Sequence, residues 1–137
     1  MSSPGTLERV TLGPSARSFL QAYWRADLPG ALAKCSPNAV IELARSLPIA
    51  TPAPIADILP LIFKNVYPKF EGGRFDVTID STLEDEGRVL VEYTARGMLT
   101  TGVLFECGYA AVFEFVDGAI VRVRMYTDTR YVAAALM

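Results

Sequence analysis

Apolar residues recur at two periods along this chain, helical in most of the first half and alternating in the second. Ala16, Phe19, Leu20, Tyr23 and Trp24 fall at i, i+3, i+4, i+7 and i+8, which is one face of a helix. Pro14 suits its first turn, where the missing amide would have had no partner. Asp27 offers an N-cap to a short second helix in "LPGALAKC". "NAVIELA" (38–44) reads as a first strand, and the proline-rich stretch 45–54 as a connection. Helical spacing returns at Ile55, Ile58, Leu59, Ile62, Val66 and Tyr67, and stops at Pro68. Pro60 conflicts with that helix. Either the helix begins near Asp57 and holds the proline in its first turn, or it is kinked there.

From Phe75 onward the period is two. Phe75, Val77 and Ile79 alternate with Asp76, Thr78 and Asp80, so one face of this strand is buried. "EDEG" (84–87) turns the chain into a strand carrying Val89, Val91 and Tyr93. Glycines at 97, 102 and 108 predict a long hairpin connection over 97–108. "YAAVFEF" (109–115) runs into Asp117-Gly118, the strongest two-residue hairpin signal present. "AIVRVRMYTD" is the last strand, and "RYVAAALM" a short helix or an added tail. Helices first and an antiparallel meander afterwards predict an α+β domain over 14–137, behind a lead-in at 1–13.

Composition narrows the function classes. With 137 residues, 51% apolar and 20% charged, the chain can bury a core and is not disordered. Its net charge of −2 and scattered basic residues give no field for nucleic acid. No apolar run approaches the ~20 residues that span a bilayer, and the first residues lack a signal-peptide pattern. A cytoplasmic protein with no membrane partner is expected. There is no histidine, and two cysteines 72 positions apart make no zinc signature; no metal is expected. No phosphate-cradling glycine loop or nucleophile elbow is present either, so any chemistry is expected to need no cofactor.

Three stretches resemble the SnoaL-like branch of the nuclear-transport-factor-2-like superfamily. "RSFLQAYWRADLPGALAKCSPNAVIEL" is similar to the family's opening helices and first strand, "FECGYAAVFEFVDGAIVRV" to its late hairpin, and "YTDT" to its closing element. The resemblance covers about residues 14–135. It implies a cystatin-like cone, in which N-terminal helices pack on a curved, mostly antiparallel sheet around a cavity. It also implies a small, largely apolar ligand, with polyketide cyclases, limonene-epoxide-hydrolase-like and ketosteroid-isomerase-like proteins among the relatives. The chain departs from the epoxide-hydrolase pattern: Tyr93 and Ala95 stand where those relatives carry Arg-x-Asp. Cyclase relatives use a supporting histidine that this chain lacks.

Asp128 is the residue on which catalysis turns. Enzymes of the superfamily place an acid/base aspartate at this closing position, which would make an isomerase, cyclase or dehydratase; the alternative is a non-catalytic ligand-binding or dimerisation module. As a base it would point inward with Tyr126, against aromatic walls that raise its pKa. As a helix cap it would accept backbone amides, which lowers the pKa. Strand parity puts Asp128 and Tyr126 on one face with Arg124, Arg122 and Ile120, and Val121, Val123 and Met125 on the other; a bulge would switch the faces. Tyr93 and Tyr126 are the candidate hydrogen-bond donors to a ligand oxygen. Tyr23, Trp24, Ile62, Tyr67 and Phe113 are the candidate ligand contacts. Glu42 is a possible second carboxylate, with an exposed strand position as the alternative, and Cys107 reads as a structural thiol. Apolar residues on both faces of the late strands, such as Phe113 with Val112 and Ile120 with Val121, predict a homodimer through the outer sheet surface.

Overall fold

The computed structural model describes residues 11–137. Most of the expected lead-in therefore lies outside the described residues, and its last residue already begins a helix. Helix α1 spans Gly13–Trp24 and α2 spans Leu28–Leu32, with the Asp27 side chain accepting from Gly30 N as its cap. Strand β1 is Cys35–Glu42, and after a loop the short β2, Ala53–Pro54, pairs antiparallel with it. Helix α3 spans Ile55–Asn65. Two single 3₁₀ turns follow, then β3 (Asp76–Asp85), β4 (Arg88–Met98), β5 (Leu104–Val116), β6 (Ala119–Thr127) and α4 (Thr129–Leu136).

The six strands form one curved, unclosed sheet in the order β2-β1-β6-β5-β4-β3, antiparallel except where β1 lies parallel to β6. Positive φ at Asp117 and Gly118, and at Glu86 and Gly87, makes the two tight hairpin turns that the sequence signals. The connection expected over 97–108 is much shorter, because Met98 and Leu104 pair directly and both strands run on to them. Gly97 is inside β4, and its lack of a side chain serves packing: a Cβ there would come within 2.8 Å of both Phe70 and Phe75. Pro60 lies inside α3 with its ring exposed, so the helix starts before Asp57 and carries the proline on its solvent side.

Two bulges set which residues face inward. Asp80 is the extra residue between Ile79↔Tyr93 and Ser81↔Glu92. Val121 is the extra residue between Phe115↔Ile120 and Glu114↔Arg122. The bulge at Val121 puts Ile120 on the same buried face as Val123 and Met125, with Arg122 and Arg124 opposite. The helices cover this concave face, and Phe19, Leu20, Ile55, Leu59, Phe113 and Ile120 are buried between the layers. Full burial of each such side chain contributes about 1.5–3 kcal/mol.

Candidate functional site

Between the helices and the sheet the core gives way to aromatic side chains that leave space between them. One hollow of about 410 Å³, counted to its open mouth, is lined by Tyr23 and Trp24 from α1, Tyr67, Phe70 and Phe75 from the segment after α3, and Tyr93, Phe105 and Tyr109 from β4 and β5. A second, of about 480 Å³, shares Tyr23 and Tyr109 and adds Leu43, Leu47, Met125, Thr127 and Val132. The rings brace one another. Trp24 lies 5.1 Å from Tyr93, which stacks on Tyr109 at 5.1 Å and 6°, and Tyr67 meets Phe75 edge-on at 4.9 Å.

The polar side-chain groups here are hydroxyls and the Trp24 indole N–H. Tyr67 Oη donates to the Tyr23 carbonyl at 2.6 Å, and Thr127 Oγ1 donates to the Gly108 carbonyl at 2.9 Å. Tyr93 Oη finds only the Met125 sulfur, at 3.9 Å, a weak acceptor that leaves most of its donor capacity unused. Burial pushes the Tyr23 phenol up to about 12 and holds those of Tyr67, Tyr93 and Tyr109 well above their ordinary value. They are neutral donors at any ordinary pH. No Asp, Glu, Lys or Arg lines either hollow.

Of the residues singled out from sequence, Tyr23, Trp24, Ile62, Tyr67 and Tyr93 converge on this interior. Phe113 does not: it is fully buried deeper in the layer, edge-on to Phe19 at 5.6 Å. Tyr126 is on the opposite, outer face and half exposed. Asp128 follows the end of β6, and its Oδ1 accepts from Tyr131 N at 3.1 Å as the N-cap of α4. Of the two readings of Asp128 the geometry is that of the helix cap, and Tyr126 does not point into the cone with it, because the strand's inward parity belongs to Val123 and Met125, and the carboxylate is drawn to unpaired helix amides. Arg122 and Arg124 share the outer face with Tyr126, as strand parity grouped them. Arg122 bonds Glu42 on the outer face, and Arg122 and Arg124 both approach Glu114 within 3.7 Å. The Arg122 bond lowers the Glu42 pKa, which holds it ionised away from the hollows. Cys107 Sγ contacts Thr127 Oγ1 at 3.1 Å, in the part-buried flank of β5. Tyr93 and Ala95, which stand where epoxide-hydrolase-like relatives carry Arg-x-Asp, both line the interior without charge.

Tyr109, Phe70, Phe75, Phe105 and Leu136 line the interior but were not singled out as contacts. Tyr109 was legible in principle, since it is two residues from Ala111 and four from Phe113, the inward positions of β5.

Cap loss is measurable. Asp128→Ala should cost about 0.5–2 kcal/mol in urea unfolding, whereas Asp128→Asn, itself a good cap, should be near neutral. Equal destabilisation by both would mean that the charge, not the cap, matters.

The comparisons agree with this architecture. The family model of the SnoaL-like domain matches residues 16–123. The chain belongs to the SnoaL-like family. A nuclear-transport-factor-2-like protein from Burkholderia thailandensis is 25% identical with a TM-score of 0.76, over 93% of this chain and 98% of that one. A protein with a cystatin-like fold from Xanthomonas campestris is 18% identical with a TM-score of 0.74, over 93% and 98%. TerC, co-crystallised with polyporic acid, is 14% identical with a TM-score of 0.72, over 91% and 98%. No curated protein matches the chain. Among the described residues, no helix is long and apolar enough to cross a membrane, and no three His, Cys, Asp or Glu side chains gather as a metal site would need.

Proposed function

We propose that this SnoaL-like protein binds a small, largely apolar, uncharged molecule in its aromatic interior and holds one ligand oxygen with the Tyr93 hydroxyl. The observation that carries this reading is a lining of rings and hydroxyls without a charged group. Binding is favoured over acid–base catalysis for the same reason. Proton abstraction near neutral pH needs a group that titrates there, and phenols pushed upward by burial do not. Asp128 caps α4 and lines neither hollow. The co-crystallisation of TerC with polyporic acid supports small-molecule binding as a use of this fold.

The chain's single tryptophan lines the interior, so its emission reports occupancy directly. Titration with acetophenone and its hydrocarbon counterpart ethylbenzene separates the hydrogen bond from apolar burial. The ketone should bind more tightly by the net worth of one hydrogen bond, about 0.5–1.5 kcal/mol, and Tyr93→Phe should abolish the difference. Failure of both compounds to perturb Trp24 would end the proposal.

The outer sheet face is read as the contact with a second copy of the chain. Leu83, Leu90 and Val112 lie side by side across three strands, with Ala110 and Tyr126 in the next row, and Leu83 and Tyr126 are 62% and 50% exposed. The adjoining Glu42, Glu114, Arg122 and Arg124 carry balanced charge, so two copies can meet there without net repulsion. Sedimentation at micromolar concentration should give twice the chain mass, and Leu83→Glu should return it to one; a wild-type monomer removes the reading.

A further inference from the structure

A third hollow opens outside the first two. Between α3, the 48–50 loop and the end of α4 lies a vestibule of about 1040 Å³, counted to its open mouth. Its walls are Pro48, Ile49, Ala50, Ile58, Leu61 and Met137, with Asn65 and Lys69 as its polar members. Leu61 and Met137 are 50% and 45% exposed there, an apolar surface that water covers poorly. Only three residues occur in the walls of all three hollows: Ile62 of α3, Val66 just past its end, and Leu136 of α4.

These three stand where vestibule and interior meet. Val66, the residue that caps the end of α3, lies one turn beyond Ile62, and its N–H donates to the Ile62 carbonyl at 2.9 Å. Leu136 lies in the last turn of α4, away from the Asp128 cap and from Tyr131, whose hydroxyl accepts from Glu106 N at 3.0 Å. Helix α4 is thus pinned at its first turn, and its gate residue is at the other end. All three side chains are apolar, so a passing ligand meets no polar partner to replace lost water.

We propose that Ile62, Val66 and Leu136 form the gate to the interior, and that the ligand is an elongated neutral carbonyl compound whose oxygen reaches Tyr93 while its apolar chain crosses the gate into the vestibule. This rests on the binding function proposed above and names its ligand class. Neither interior hollow exceeds about 480 Å³ even to its mouth, whereas the vestibule beyond the gate is about twice as large and mostly apolar. The polar end goes inward because Tyr93 is the buried donor that lacks a strong acceptor. A charged end does not, since no countercharge waits there.

The test is a Trp24 emission titration with methyl alkyl ketones, the alkyl chain growing from propyl to undecyl, and with the fatty acid matched to the longest. Affinity should climb about fourfold per methylene across the series, and the acid should bind much more weakly than the ketone of its length. Leu61 lines the vestibule alone and is half exposed, so Leu61→Lys leaves the core intact. It should weaken the undecyl ketone about tenfold and leave the propyl ketone unchanged. Short ketones binding as tightly as long ones, an acid equal to its ketone, or a Leu61→Lys effect independent of length would each overturn the gate and the elongated ligand while leaving the binding function in place. No response from any ketone would overturn both.

Discussion

Raising the pH above about 10 should unfold this protein in one cooperative step, with phenol ionisation and loss of structure occurring together. Four of its six tyrosines are held neutral by burial: Tyr23, pushed up to about 12, and Tyr67, Tyr93 and Tyr109, pushed higher. In the unfolded chain each ionises near 10, so above that pH the folded state binds more protons than the unfolded one. Stability is therefore complete below about pH 10 and falls as pH rises, with each buried phenol removing about 1.4 kcal/mol per pH unit until its own folded value is passed. Together the four approach about 5 kcal/mol per unit, against the 5–15 kcal/mol that typically holds a domain together. Far-ultraviolet circular dichroism and near-ultraviolet phenolate absorbance, followed on one sample, should break at the same pH. A smooth titration of all the tyrosines near 10 with the dichroism intact would show that the interior does not resist charge. Because the same rings line the ligand hollows, a bound neutral ligand should move the break upward.

The periodic parts of this fold were legible in the sequence, and the parts decided by single residues were not. Helix α1 and the strands around Val89 and Phe113 follow from spacing, because each buries one face and has only one way to do so. Strand β2 is two residues with a proline on the edge of the sheet, which leaves no periodic signal. The short β4–β5 connection was hidden because glycine normally marks a turn, whereas Gly97 and Gly108 serve inside strands. Local parity could not place the last strand. A bulge can reverse a strand's faces, and the bulge at Val121 reverses only Ile120, leaving both arginines outside. The aromatic lining of the candidate site was therefore readable from Tyr23, Trp24, Tyr67 and Tyr93, which meet at one hollow. Asp128 was not, since a strand end and a helix start make opposite demands on one carboxylate, and the helix amides beside it won.

Truncating Phe113 separates core from cavity and should have the largest effect of any single substitution considered. Its ring has no exposed surface and meets Phe19 edge-on at 5.6 Å, while Val89 and Val123 pair with it on the neighbouring strands and are themselves fully buried. Phe113→Ala should cost about 3–5 kcal/mol, the transfer energy of the ring plus the void that rigid strands cannot close. Urea unfolding should show this as a lower midpoint at unchanged slope. Ligand binding gives the discriminating readout. If Phe113 were a wall of the hollows, its loss would enlarge them and favour bulkier ketones. Packed one layer below, it should leave the order of ketone affinities as in the wild type wherever the variant is folded. A variant that keeps its stability but changes that order would put Phe113 back among the ligand contacts, and would mean that the hollows extend further down the cone than the rings around Tyr93.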